Sequence, residues 1–362
     1  MFRLFLLTIL LYFLILTSCK KKFTAEELNN TYAPAIVLIK HSYLYKIKLG
    51  SEEYYFKDYD KESGETSQLL SKDSAYKNPN VAWGTGFFID PDGKILTCKH
   101  VVDIKPTAED EKKILANLRK QYLGKQEELT SEKTKIEEEY SAINSYVSNY
   151  YSYLSYTDIA KYNLKKEELK ERYDNINLLL SLIEIVQRER DNPDNYVAKT
   201  SLQFGIFLNG HSYDDLNDYI VCKSTKISTD DNVDLAVIET SDKKTPEKIK
   251  PVDFTRISQI EKEKISLNEK VYMIGFNDGI VIAQTTSGTT QSINSQLTEG
   301  KVSQSSDENK IMYTIPALPG SSGSPIFDEY GRIVAVNFAG RINSQSFNYG
   351  IQPMKIKTFL GK

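Results

Sequence analysis

The residues of this 362-residue chain whose types could do chemistry are three histidines, three cysteines and one glycine-flanked serine. The serine lies in Gly320-Ser321-Ser322-Gly323-Ser324-Pro325, inside the run from Pro316 to Gly340. Glycine on either side lets the backbone take positive φ and lets another molecule approach closely. A nucleophilic serine needs that setting: a rigid turn, an exposed hydroxyl, and free backbone N–H groups to receive an oxyanion. A plain Ser/Gly surface turn has the same composition, so the six residues alone leave both readings open. Among the histidines, His211 follows the Asn209-Gly210 turn and is expected at the surface. His41 follows the first strand without special context. His100 differs, because it ends a strand that returns from a glycine-rich hairpin.

The elements that must carry these residues read as short strands. Trp83 to Ile89 is a glycine-punctuated strand, Asp90-Pro91-Asp92-Gly93 a turn, and Lys94 to Cys98 the returning strand that delivers His100. Thr31 to Ile39 reads as the first strand and residues 45–80 as a polar surface excursion with one hairpin, Lys46 to Phe56. Leu202 to Leu208, Asp218 to Cys222 and Leu235 to Ile238 follow. After a charged linker over 241–268 come strands at Lys270 to Phe276, Gly279 to Ile282, Thr298 to Ser303 and Ile311 to Ile315. Past the serine turn, Asp328-Glu329-Tyr330-Gly331 reads as a hairpin and Arg332 to Val336 as a buried strand. The pattern argues a mostly β fold.

One stretch breaks it. From Thr107 to about Arg190 the chain is rich in Lys and Glu. Leu115, Tyr122, Leu129, Ile136 and Ile143 recur at seven-residue spacing, as do Tyr162, Leu169, Ile176 and Ile183. This predicts a coiled-coil-like antiparallel helical hairpin over 106–192, bent in the Tyr- and Ser-rich segment 145–158. Lys125, Glu132 and Glu139 occupy the second row of the seam, and a dimerising coiled coil is the other arrangement the spacing allows. A protein partner or self-association through 107–190 is the functional reading; a solvated helix pair is the plain one.

The net charge of −3 gives no sign of nucleic-acid binding. At the N-terminus, Arg3, the apolar run Leu4 to Leu16 and Thr17-Ser18-Cys19 form a charged segment, an apolar segment and small residues before a cysteine. This resembles a bacterial lipoprotein signal over 1–18, which implies a lipid on Cys19, a tether over 19–30 and an extracytoplasmic, membrane-attached protein. An uncleaved N-terminal anchor is the alternative. Cys98 and Cys222 lie in apolar runs that suit buried thiols; a disulfide between them is the alternative. Neither has metal-ligand spacing, and no metal or cofactor is expected.

Taken together, these motifs resemble trypsin-like serine peptidases of the chymotrypsin fold, in particular bacterial ones of the high-temperature-requirement and glutamyl-endopeptidase types. The residues that carry the resemblance are Gly84 through Val102, Asp234-Leu235-Ala236-Val237, and Pro319 through Ile326, in the family's order. It implies a double β-barrel, the first barrel over 31–105 and 193–240 and the second over 269–362, with the helical hairpin inserted. It also implies a catalytic triad of His100, Asp234 and Ser322. The N–H groups of Gly320 and Ser322 would form the oxyanion hole. Asp230 or Asp231 could stand in for Asp234, although the strand that follows favours Asp234. The substrates would be proteins or peptides.

Departures from the family bear on activity. Ser321 stands where digestive relatives have an aspartate that pairs with a newly freed amine, and Ser324 where many relatives have glycine. Phe338 stands where relatives have a serine bonded to the triad aspartate. Pro316 and Asn337 occupy positions that confer basic or acidic specificity elsewhere. With Phe338 and Gly340 they are the expected pocket residues, and they point to small or medium apolar side chains before the cleaved bond. A catalytically inactive protein that binds through its helical hairpin is the competing reading.

Overall fold

The computed structural model describes residues 22–103, 105–189, 192–254, 265–287, 290–304, 309–341 and 344–361. The expected lipidation site, Cys19, and the signal segment lie outside the described residues. Two compact units form. A barrel unit takes the described residues within 22–41, 81–103 and 203–361, and a helical unit those within 42–80 and 105–202. The helical unit is therefore larger than the 106–192 hairpin expected from sequence. No described helix is long and apolar enough to cross a membrane.

In chain order the elements begin with α1 (Ala25–Tyr32), β1 (Ile36–Leu49), β2 (Glu52–Phe56), α2 (Lys72–Lys77), β3 (Asn80–Phe88), β4 (Lys94–Thr97) and α3 (Lys99–Val102). Three long helices follow: α4 (Ala108–Leu123), α5 (Gln126–Tyr150) and α6 (Tyr156–Arg188). Then come β5 (Tyr196–Leu208), β6 (His211–Tyr213), β7 (Ile220–Ile227), β8 (Ala236–Thr240), β9 (Lys270–Gly275) and α7 (Ile280–Ala283). The chain continues with β10 (Gln284–Ser287), β11 (Thr290–Ile293), β12 (Gln296–Gln304), β13 (Lys310–Tyr313), β14 (Pro325–Asp328), β15 (Ile333–Arg341), β16 (Ser344–Ile351) and α8 (Pro353–Leu360).

The fold is mostly β, a chymotrypsin-like pair of barrels with an added helical region. The first barrel runs β1-β3-β4-β8-β7-β5 and closes by pairing β5 with β1; the second runs β12-β13-β16-β15-β14-β9 and is closed. The turn at Asp90 works as its sequence suggests. Asp90 Oδ1 accepts from the N–H groups of Asp92 and Lys94, Gly93 takes φ +75°, and the strands pair Phe87 with Leu96 and Phe88 with Ile95. Val271, Met273, Val302, Ile311, Tyr313, Ile315, Ile326, Val334 and Ala335 pack together as the core of the second barrel.

Several segments differ from the sequence reading. Residues 22–32 belong to neither a tether nor a strand. Thr24 and Glu27 make a reciprocal capping box that starts α1. The segment docks on the hairpin after β14: Phe23 N–H donates to Glu329 O, the Tyr32 ring stacks on Phe327, and the Tyr32 hydroxyl donates to Gly331 O. Part of the expected linker is packed against the barrel unit. Ile249, Val252 and Phe254 are buried, and Phe254 stacks on Phe87 at 5.9 Å. Gly279 to Ile282 forms no strand: Ile280–Ala283 is the helix α7, with Val281 and Ile282 exposed.

The expected hairpin is made of three long helices rather than two arms, because the first arm breaks at Gly124. Helices α5 and α6 run antiparallel, as Glu132 meets Arg172 at 3.0 Å and Glu139 meets Lys165 at 3.7 Å. The expected seam is buried at Leu129, Ile136, Leu169, Ile176 and Ile183. The stretch read as a surface excursion supplies the rest of this core. Tyr45, Ile47 and Leu49 alternate along β1, and they join Tyr54, Phe56 and Leu69 against Ile114, Leu118 and Tyr122.

Candidate active site

Helix α3 is a single turn at the end of β4, and it presents His100 at the surface of the barrel unit. His100 Nδ1 lies 2.5 Å from Asp234 Oδ2, and the His100 backbone N–H donates to Asp234 Oδ1 at 2.9 Å. Asp234 sits immediately ahead of β8, whose register against β4 pairs Ala236 with Thr97. That pairing sets the carboxylate beside the histidine. Asp230 instead accepts from the backbone and side chain of Asn232, so neither it nor the exposed Asp231 takes the place beside His100. Nδ1–H donates to the carboxylate, which leaves Nε2 as the basic nitrogen. The support that Phe338 cannot give to Asp234 comes from the backbone N–H of His100 itself.

The serine turn is tied to the same frame. The Asn337 carbonyl accepts from Gly323 N–H at 2.7 Å and from Cys98 Sγ at 3.2 Å, so one oxygen joins the turn to the strand that carries His100. Thr85 makes a second tie. Its N–H donates to Ser322 O and its hydroxyl to Gly320 O, while Phe276 N–H donates to that hydroxyl. A third contact makes Gly323 obligatory. Its φ is +92°, and a Cβ there would run into the Thr85 carbonyl and Thr97 Oγ1.

Within the turn the backbone donors alternate. Ser321 N–H donates to Leu318 O, Gly323 N–H to Asn337 O and Ser324 N–H to Ser321 O. The N–H groups of Gly320 and Ser322 donate to no described residue, and neither does the half-buried Ser322 hydroxyl. Gly320 takes φ +95°, and a Cβ there would strike the backbone of Phe276 and Gly279. The turn thus offers two uncommitted donors beside a hydroxyl, which is the equipment for receiving a developing oxyanion.

Of the expected pocket residues, Pro316 is exposed, Phe338 is half-buried against the core, and Gly340 pairs with Asn348 between β15 and β16. Asn337 is turned inward. It is 1% exposed, because strand alternation turns it into the second barrel, where its side chain is bonded to Ser321 and Tyr313. Cys98 and Cys222 are both buried and free. Burial pushes the Cys98 thiol well above its ordinary range and the Cys222 thiol up to about 12. Donor atoms of Cys98, His100 and Asp234 lie within 4.8 Å of one another. In this structure the Cys98 thiol donates to the Asn337 carbonyl.

Sequence reasoning missed three contributors. His41, given no role, is fully buried, and its Nδ1 lies 2.9 Å from the carbonyl of Val101, the residue after His100. Thr85 sits in the Gly84-Thr85-Gly86 run, whose glycines drew attention while the threonine between them did not. Gly275 makes room for Ser324, since a Cβ there would strike the Ser324 side chain. Only the three-dimensional pairing of 275 with 324 shows why serine is tolerated in the turn.

Residues 193–336 match the family model of the trypsin-like peptidase domain. The matched segment holds Asp234 and Ser322 but not His100, which the helical unit separates from it in sequence. No curated protein matches the chain. Among solved structures, a serine endoprotease from Yersinia pestis is similar at 11% identity and a TM-score of 0.43, over 94% of this chain and 66% of that one. A protease from M. tuberculosis in its active form is similar at 12% identity and a TM-score of 0.43, over 94% of this chain and 87% of that one. The chain thus spans just under two thirds of the length of the Yersinia protein.

Proposed function

We propose that the protein is a serine endopeptidase that hydrolyses peptide bonds through Ser322, His100 and Asp234. The observation that carries this reading is the His100–Asp234 pair on the same bonded frame as a turn with uncommitted N–H groups at 320 and 322. The match of residues 193–336 to the trypsin-like peptidase domain supports a serine protease.

In the proposed reaction His100 Nε2 takes the Ser322 proton as the hydroxyl attacks the carbonyl carbon, and later gives it to the departing amine. Asp234 holds the tautomer and offsets the imidazolium charge. The N–H groups of Gly320 and Ser322 receive the oxyanion. Water then repeats the sequence on the acyl-enzyme. The half-buried Phe338 supports an apolar side chain before the cleaved bond, of small or medium size; a peptide-library cleavage profile tests this. The N-terminal pattern around Cys19 supports an extracytoplasmic lipid anchor. Incorporation of a fatty-acid analogue that is lost in Cys19→Ala tests that part.

Treatment with a fluorophosphonate probe tests the enzyme itself. Wild type labels and Ser322→Ala does not. If both label equally, or neither labels, the peptidase reading through Ser322 falls; where neither labels, the inactive protein that binds through its helical hairpin replaces it.

A further inference from the structure

Asn337 uses every hydrogen-bonding group it has on and around the serine turn. Its Nδ2 donates to Ser321 O at 2.9 Å and to Ser321 Oγ at 3.0 Å. Its Oδ1 accepts from the Tyr313 hydroxyl at 2.6 Å. Its backbone N–H donates to Ser324 O at 2.9 Å, and its carbonyl accepts from Gly323 N–H and Cys98 Sγ. Ser321 Oγ in turn donates to Leu318 O at 2.7 Å, ahead of Gly320. One residue therefore grips Ser321, Gly323 and Ser324 directly and the Leu318 end of the turn through Ser321. Ser322 is left for other work. Asparagine is suited to this place because it supplies two donors and one acceptor without charge; aspartate has no donor when ionised, and leucine of similar shape has none at all.

We propose that Asn337 is the positioning residue of the serine turn, a neutral clamp that keeps the N–H groups of Gly320 and Ser322 facing substrate. The proposal rests on Ser322 being the nucleophile. It assigns no substrate contact to Asn337; the residue acts through the turn. The titratable groups that face it are Tyr313 from β13 and Cys98 from the end of β4, and burial holds the proton on each. Nothing in the clamp carries charge, so the turn is assembled in the intact chain without an ion pair that has to be created first. Loss of the clamp leaves buried donors and acceptors unmatched around the turn, and the turn shifts to satisfy them.

The test compares fluorophosphonate labelling rates and peptide hydrolysis for wild type, Asn337→Ala, Ser321→Ala, the double variant and Tyr313→Phe, with folding followed by circular dichroism. Asn337→Ala slows labelling about 100-fold, the penalty expected for a displacement on the order of 1 Å, and lowers kcat with KM unchanged. The double variant is no slower than the worse single one, because both remove the same grip. Asn337→Asp adds a pH signature. A buried carboxyl keeps one donor only while protonated, so its labelling rate relative to wild type falls as pH rises. Wild-type labelling by Asn337→Ala, or effects that multiply in the double variant, overturns the clamp. Should Asn337→Ala fail to fold, Ser321→Ala and Tyr313→Phe decide: a wild-type rate in both overturns the proposal, and slowing in both supports it. A wild type that does not label removes the nucleophile reading and the clamp with it, whereas a wild type that labels as fast as Asn337→Ala removes the clamp alone.

Discussion

The barrel unit and the helical unit bury different things. Among the described residues the fully buried polar and charged side chains other than tyrosine, Thr66 excepted, lie in the barrel unit. There Thr85, Thr97, Ser321 and Asn337 are bonded into a frame around His100 and Ser322. The helical unit is held by an apolar seam, and its ion pairs, such as Arg172 with Glu132, stay at the surface. A buried polar network is costly unless every member is satisfied, and once satisfied it permits one arrangement. An apolar seam tolerates exchange of similar volume. The barrel unit therefore has the precision that chemistry needs, and the helical unit has packing without that constraint. The tip of the helical pair extends the contrast. Residues 140–157 carry no charge, and Tyr150, Tyr151, Tyr153 and Tyr156 are exposed.

Four measurements break or sharpen this contrast. The largest effect is expected at Gly323→Ala. The new Cβ meets the Thr85 carbonyl in a backbone with φ +92°, so the turn moves and labelling of Ser322 by fluorophosphonate falls by about 100-fold or more. A labelling rate near wild type would mean that the frame is softer than its bonds imply. Leu169→Ala, at a fully buried seam position, costs the helical unit about 2–5 kcal/mol in denaturant unfolding followed by helicity. Labelling at native conditions stays at the wild-type rate; a parallel loss of labelling would show that the two units share their stability.

Alkaline pH gives a smaller and graded effect. Burial raises the hydroxyl pKa of Tyr43, Tyr45, Tyr54, Tyr55, Tyr59 and Tyr122 in the helical unit, with Tyr55 and Tyr59 pushed up to about 12. The unfolded chain ionises these groups first, so it binds fewer protons than the folded one above the ordinary tyrosine value near 10. Stability is complete below pH 10 and is lost as pH rises toward 12. Denaturant midpoints read by helicity should fall across that window, and a flat profile would contradict the burial of these rings. The smallest change is expected for Arg172→Ala. The pair with Glu132 is about half exposed on both sides, and its loss should shift stability by under about 0.5 kcal/mol.

The seven-residue seam was legible from sequence because helix packing repeats along the chain, and Leu129, Ile136, Leu169, Ile176 and Ile183 are buried as the spacing implies. The turn at Asp90 and the strands beside it were legible for the same reason: their signals are local. Residues 22–30 read as a tether because they are polar, yet the capping box of Thr24 and Glu27 starts a helix there. The 45–80 stretch was misread because polar residues between its alternating apolar ones hid the inward face of a hairpin. At the site, types and order single out His100, Asp234 and Ser322 as candidates, and the structure pairs His100 with Asp234. Their setting was not legible, since Thr85 with Gly320, Gly275 with Ser324 and Cys98 with Asn337 are pairs far apart in sequence.

The Gly320 to Pro325 motif and its flanking strands were determined by sequence alone, because turn chemistry and periodicity act over a few residues. Tertiary structure decided which donors in that turn are spoken for. Ser321, Gly323 and Ser324 spend theirs inside the fold, and Gly320 and Ser322 spend theirs on no described residue. It also turned Asn337 from an expected pocket wall into a buried partner of the turn. The reason is physical: a buried hydrogen bond is settled by whichever group the fold brings within about 3 Å, and residue type announces only what a side chain is able to offer.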